Sequence, residues 1–362
     1  MSDIAYRRLT TSSLSPIRLY QRLKPQDPHP LLSTRSLHVG PRRTRRQQHL
    51  CANEFLPFNH YRSITMASSG SAVSALEQAQ LIEMAKKAAA FTAVKDHLDP
   101  RYTHVGIGSG STVVYVVEAI KELHPEASKH MTFYPTGDQS KGLIKAGGLR
   151  AAPIEDRPQG SLLDVYFDGA DEADVDLNLI KGGGGCLWQE KIVAVASRTF
   201  VCIGDFRKLS RNLGTQWKQG IPIEVLPKAA DHVLAELERL GAHSPRLRSG
   251  SGKAGSVVTD NGMHIIDAPF TPLLLAGDEG GTGENGIWSV DRLAAKLKSL
   301  VGVCEIGLFY GRSGLDAKDE GGAQKPVAAY FGMADGSVQI LNQGSPPVTL
   351  TTSSTGGSDG SK

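Results

Sequence analysis

The chain is poor in the residues that staple a fold covalently. Four cysteines are scattered over 362 residues, Cys51, Cys186, Cys202 and Cys304, with no CxxC pair and no histidine cluster beside them. That excludes a disulfide scaffold and a zinc ribbon, and suits a reducing compartment. No run of about 18 apolar residues occurs, which rules out an ordinary transmembrane helix. Positive charge is scarce outside the head of the chain. Residues 1–65 hold 11 Lys and Arg against 3 Asp and Glu, leaving 29 basic and 34 acidic residues for the rest. The body is therefore mildly acidic and lacks a basic stripe, so neither nucleic acid nor a membrane is indicated as a partner. Aromatic residues are only 6%.

Glycine, by contrast, is abundant at 40 residues, so glycine-dependent loops are expected. With 40% hydrophobic and 21% charged residues a sizeable core can form, and the length allows about two domains. Residues 1–65 are rich in Arg, Ser, Pro and His, poor in acids and without a hydrophobic period. Two readings stand for them. They are a mitochondrial presequence, or Met66 is the working start and the protein is cytoplasmic; the second is preferred.

Helical spacing begins at Ser74, where Ser74 and Glu77 form a possible capping box, and ends at Asp99-Pro100. Strands are expected at 104–108, 132–134, 164–167 and 200–203, with helices at 111–123, after Gly137 through Ile144, and at 187–196. Strands alternating with such helices predict an α/β fold, a Rossmann-like doubly wound parallel sheet. After Trp217 the pattern changes. A strand at 223–225, a helix at 229–240, a strand pair at 256–259 and 264–267 around Asp260-Asn261-Gly262, a helix at 292–300 and a strand at 303–309 follow. This β-α-β-β-α-β order predicts a smaller ferredoxin-like α+β domain. The expected division is 1–65 as an extension, 74–217 plus 306–342 as the larger domain, 218–305 as the smaller, and 343–362 as a disordered tail. Strands near 306–310 and 327–341 are expected to rejoin the first sheet, and 276–286 and 311–325 to be solvated insertions.

Four segments carry candidate chemistry. Gly106-Ile107-Gly108-Ser109-Gly110-Ser111-Thr112 joins a strand to a helix. Glycines let backbone approach an anion, and the helix N-terminus offers free N–H groups. Neither GxGxxG nor GK[ST] is met, so a small phosphomonoester fits better than NAD or ATP; a plain tight turn is the bland alternative. Asp168-Gly169-Ala170-Asp171-Glu172-Ala173-Asp174 follows a strand, at the end where open α/β sheets bind ligands. Crowding there predicts at least one raised carboxyl pKa, and a solvated acidic loop is the alternative. Lys181-Gly182-Gly183-Gly184-Gly185 can offer a cation and N–H donors to an oxyanion, or be a linker. Glu190, on the helix that follows, can serve as a base or be a surface carboxylate. Lys208 can neutralise a phosphate, although a lone lysine is more often merely exposed. No activating context surrounds the cysteines.

Taken in order, these motifs resemble the type A ribose-5-phosphate isomerase family. Residues 106–112, 168–172 and 181–184 match, Glu190 stands nine residues beyond Lys181, and Pro222 to Pro227 and Val258 to Gly262 add to the match. The resemblance spans about 75–342. It implies a metal-free and cofactor-free aldose–ketose isomerase of the pentose phosphate pathway, a homodimer or homotetramer. Transferred by position, the base falls on Glu190, sugar-binding carboxylates on Asp168 and Asp171, and the active-site lysine on Lys181. Substrate contacts fall on Ser109, Gly110, Ser111, Thr112, Gly169, Ala170, Gly182, Gly183 and Gly184, and phosphate-side lysines on Lys208 and Lys86. Ser109 stands where Thr is common, Gly185 where Ala is usual, and Asp138 where an aromatic is more usual. A catalytically silent sugar-phosphate module and a CoA-transferase-like protein are the competing classes; turnover of ribose 5-phosphate in EDTA separates them.

Overall fold

A computed structural model describes residues 75–250 and 254–351. Ser74 and its capping box, the 1–65 extension and residues 352–362 lie outside the described residues. Helix α1 (Ala75–His97) opens the described chain. Its inward face is small, Ala85, Ala89, Ala90, Ala93 and Val94 all being buried, so the helix lies very close to the sheet.

Strand β1 (His104–Ile107), helix α2 (Val113–Leu123), strand β2 (Thr132–Pro135), helix α3 (Asp138–Ala146) and strand β3 (Arg150–Ala151) build one half of the large sheet. Asp138 heads α3, where a carboxylate complements the positive end of the helix. Then come β4 (Val165–Asp168), β5 (Glu172–Ala173), β6 (Leu179–Ile180), α4 (Leu187–Val195) and β7 (Phe200–Asp205). The strands from 104, 132, 165 and 200 fall where the apolar runs place them, buried on both faces as a parallel sheet requires.

The smaller sheet uses β8 (Ile221–Val225), α5 (Ala230–Arg239), β9 (Arg246–Leu247), β10 (His264–Ala268), α6 (Val290–Lys298) and β11 (Val303–Ile306). Its strand order, β11-β8-β10-β9, with every pairing antiparallel, is the ferredoxin-like order. One strand differs from expectation. Residues 256–259 form only isolated bridges, and the partner of β10 on that side is β9. The tight turn itself is present, with Gly262 N–H donating to the Thr259 carbonyl at 2.9 Å.

Strand β12 (Leu308–Phe309), helix α7 (Gly314–Ala317) and strands β13 (Ala328–Gly332), β14 (Val338–Asn342) and β15 (Val348–Leu350) complete the chain. The large sheet has the order β15-β14-β13-β7-β4-β1-β2-β3, parallel from β3 to β13. Strand order reverses at β1 and β4, so a crevice opens at their carboxyl ends. Three expectations are corrected. Residues 308–309 do not rejoin the large sheet; they pair with β6 in a separate three-stranded sheet. Residues 348–350 form an edge strand on β14 rather than a disordered tail, because they satisfy that strand's outer backbone groups. Residues 311–325 are not merely solvated. Ser313, Gly314, Ala317, Gly321 and Ala323 are buried there, and Gln324 accepts a 2.8 Å hydrogen bond from the buried Lys191.

Candidate active site

The carboxyl ends of β1 and β4 deliver two of the sequence motifs to one place. Backbone and side chain meet there so closely that a methyl group on Gly108 would lie 1.8 Å from Asp168 Oδ1. Only glycine lets the β1 loop pass. Asp168 Oδ1 accepts from the Ser109 N–H at 3.1 Å and the Gly169 N–H at 2.7 Å. Its Oδ2 accepts from the Tyr166 hydroxyl and pairs with Lys181 Nζ at 2.6 Å.

Lys181 follows β6, which aims it beneath the crevice. Its ammonium also donates to the Gly169 carbonyl at 2.6 Å and stands 3.4 Å from Glu190 Oε2. All three charged side chains are buried. Burial alone works against the Lys181 charge, but Asp168 and Glu190 overcome it and hold the lysine above its usual range. Glu190 projects from the first turn of α4. Burial raises its pKa, Lys181 opposes the rise, and Asp168 and Asp171 add to it. Its Oε2 has no hydrogen-bond partner. The nearby Lys181 ammonium is the group that offsets the burial of that oxygen, and a carboxylate so desolvated is a candidate for proton transfer.

Above these groups lies a cavity of about 300 Å³. Every nominated residue lines it except Asp168, which sits underneath with its side chain sealed by Lys181 and Tyr166. Asp171 faces the cavity, its Oδ2 accepting from Gly183 N–H at 2.6 Å. Burial pushes the Asp171 pKa up, against the pull of that N–H and of Lys181. Glu172 and Asp174, neighbours in sequence, turn away. The Glu172 carboxylate accepts from the backbone N–H groups of Gly214, Thr215, Gln216 and Trp217 at 2.7, 3.0, 2.7 and 3.3 Å. Asp174 closes its own turn through Asp176 and Asn178, and burial raises it to about 7. The raised carboxyls therefore owe their shift first to burial, with mutual crowding secondary.

Cationic side chains also line the cavity. Lys86, buried on α1, pairs with Glu83 at 2.7 Å, and Glu83 also accepts from the Tyr115 hydroxyl at 2.7 Å. Lys208 lies in the turn after β7, its ammonium 5.4 Å from the centre of the Trp217 ring. The Ser109 hydroxyl is engaged with Thr136 at 2.8 Å, so Ser111 and Thr112 supply the freer hydroxyls of that loop. Sequence reasoning missed four lining residues, Gln139, Cys186, Asp205 and Arg207. Arg207, held by Asp205 at 2.7 and 3.0 Å, was signalled only by standing beside Lys208. Gln139, whose Oε1 accepts from Gly110 N–H at 2.8 Å, stands in the first turn of α3 beside Asp138 and carries no charge of its own to mark it. Lys191, next to Glu190, points to the opposite side, where burial drops it to about 7. Burial lifts the Cys186 thiol to about 11, which keeps it protonated at neutral pH.

A cavity lined both by cations and by a buried carboxylate–ammonium–carboxylate set suits a small anionic ligand that undergoes proton transfer. Fold and crevice thus define the class: a Rossmann-like α/β protein with an acid–base site at the topological switch point. The sequence profile of ribose 5-phosphate isomerase A (phosphoriboisomerase A) matches residues 132–315. The chain is 46% identical over 268 residues to ribose-5-phosphate isomerase of Eremothecium gossypii, covering 72% of this chain and 93% of that one. It is 42% identical over 274 residues to the Mycosarcoma maydis ribose-5-phosphate isomerase, covering 75% and 86%. Among solved structures, a D-ribose-5-phosphate isomerase in complex with phospho-erythronic acid superposes with a TM-score of 0.59 at 31% identity, covering 72% of this chain and 99% of that one. The chain belongs to the ribose 5-phosphate isomerase A family.

Proposed function

We propose that this cavity is the isomerase active site and that Glu190 is its base. The chain interconverts D-ribose 5-phosphate and D-ribulose 5-phosphate, as an aldose–ketose isomerase of this family does. Moving the carbonyl between C1 and C2 needs one group that takes a proton from one carbon and returns it to the other. A carboxylate desolvated to a pKa nearer neutrality does this best. The enediolate's charge falls to Lys181 and the glycine-loop N–H groups. Asp171 relays the hydroxyl proton and assists ring opening, while Asp168 acts from below by holding Lys181. Lys86, Lys208, Ser111 and Thr112 take the phosphate, whose binding orients the reacting carbons. The observation that carries the reading is the buried Asp168–Lys181–Glu190 set, in which one ammonium stands between two carboxylates at the cavity.

The test is turnover of ribose 5-phosphate in EDTA by the wild type and by Glu190→Gln. The wild type is expected to turn over undiminished. The variant should lose about 10²–10⁴-fold in kcat while still binding phospho-erythronic acid. Near wild-type kcat in the variant removes Glu190 from the role of base. The same reading takes 74–217 plus 306–342 as the catalytic lobe and 218–305 as the smaller one, supported by the confinement of the four-stranded sheet to 221–306. It takes the protein as a cytoplasmic homodimer or homotetramer, which sedimentation and imaging of a tagged chain test. Among the described residues no helix is long and apolar enough to cross a membrane.

A further inference from the structure

We propose that Arg248, from the smaller sheet, is a positioning residue that orients the N–H groups of the 181–185 loop toward the reacting oxygens. This rests on the reading of the cavity as the isomerase site. Arg248 follows β9, and its backbone is held on the sheet, its N–H donating to Ile265 O and its carbonyl accepting from Val257 N–H, both at 2.8 Å. Its guanidinium forks onto Asp267, with Nε to Oδ2 at 3.0 Å and Nη2 to Oδ1 at 2.5 Å. The remaining edge reaches across sequence to the glycine loop. Nη1 donates to the carbonyls of Gly182 at 3.0 Å and Gly183 at 3.1 Å. The arginine side chain is only 13% exposed.

In a trans peptide the N–H points opposite to the C=O. One guanidinium that gathers two successive carbonyls therefore turns two successive N–H groups the other way. The first belongs to Gly183 and donates to Asp171, which lines the cavity. The second belongs to Gly184, also in the cavity wall, and it has no hydrogen-bond partner among the described residues. With the Gly183 N–H held by the Asp171 carboxylate, the Gly184 N–H on the same side is the donor left for an anionic oxygen. A methyl group on Gly183 would meet Asp171 Oδ1 at 2.5 Å, so the loop is pressed against the site from the front as it is pulled from behind. Arg248 itself touches no substrate. It acts through the loop, and a lysine, with a point charge and no fork, cannot span Asp267 and both carbonyls at once.

The experiment compares Arg248→Met, Arg248→Lys and Glu190→Gln with the wild type. Steady-state constants for ribose 5-phosphate are measured together with inhibition by phospho-erythronic acid and by inorganic phosphate. Misdirecting the preorganised Gly184 donor, and with it the Gly183 N–H that holds Asp171, should lower kcat of Arg248→Met by about 10²-fold. Its KM and its inhibition by inorganic phosphate should stay within about threefold of wild type, since the phosphate end is untouched. Affinity for phospho-erythronic acid, whose carboxylate should draw on the Gly184 N–H, is expected to fall by about tenfold or more. Arg248→Lys should recover little of the kcat, and added guanidinium ion should restore part of it in Arg248→Ala. A folded Arg248→Met with kcat within about threefold of wild type, or one that loses phosphate affinity as steeply as kcat, overturns the proposal. If Arg248→Met does not fold, Asp267→Asn loosens the same guanidinium and should cost about tenfold in kcat at unchanged phosphate inhibition; unchanged kcat there overturns it equally. Full turnover by Glu190→Gln would instead overturn the reading of the site itself.

Discussion

Replacing Lys181 by methionine tests how the buried charges support one another. The side chain keeps its length and loses its charge, leaving Asp168 and Glu190 buried without their shared cation. Asp168 retains the Ser109 and Gly169 N–H groups and the Tyr166 hydroxyl as hydrogen-bond donors. Glu190 retains no such partner for Oε2. At the 3.4 Å separation of Lys181 Nζ from Glu190 Oε2, an effective dielectric of about 20 makes the attraction roughly 5 kcal/mol, or about 3.5 pK units. Water entering beside the methionine offsets part of this. The cation favours the charged carboxylate, so its loss raises the Glu190 pKa further above the ordinary range. The base must be ionised to act on the free substrate, so the acid limb of the kcat/KM profile moves to higher pH, by about one unit or more. The alkaline plateau also falls, by about 10²-fold, because the enediolate loses its cation. The assay is the pH dependence of kcat/KM for ribose 5-phosphate in both proteins, with melting temperature as the control for folding. A lower plateau with the acid limb left at its wild-type position refutes the electrostatic part, for Lys181 then does not hold the charge of Glu190.

Lys208→Ala should raise KM for ribose 5-phosphate by about 10–100-fold, the loss of one hydrogen bond to a charged group. It should scarcely change the feeble turnover of free ribose; equal fractional losses for the two sugars remove Lys208 from the phosphate site. Glu172→Gln should destabilise the protein by about 2–4 kcal/mol, since an amide presents one accepting oxygen to the four backbone N–H groups that the carboxylate now serves. Urea unfolding reads this, and kcat/KM of the folded variant should hold near wild type. Lost activity at unchanged stability would return Glu172 to the site.

The order of elements and the glycine-marked strand ends were legible in the chain because they depend on local periodicity and backbone permissiveness, whereas several of the lining residues, Lys86 among them, were placed only by the resemblance to the isomerase family. A strand running into Gly108 or Asp168 announces a crevice wherever the sheet is parallel, and a capping turn at 260–262 follows from its three residues. Which way a loop side chain faces does not. Within Asp168 to Asp174 the four acids look equally suited to the site, yet Asp171 faces the cavity, Asp168 lies sealed beneath Lys181, and Glu172 turns to the 214–217 backbone. Each choice is made by a partner at least ten residues away. Lys191 and Glu190 part company on α4 for the same reason, since adjacent helical positions point about 100° apart and Gln324 waits on one side only. Arg248 carries no motif, and its reach to Gly182 and Gly183 exists only because β10 brings Asp267 beside it. What the sequence by itself determined was the set of groups and the strand ends that present them; what only the tertiary structure decided was their burial, and with burial came the charges that are paired, the carboxylate left with an open oxygen, and the direction of the N–H groups in the glycine loop.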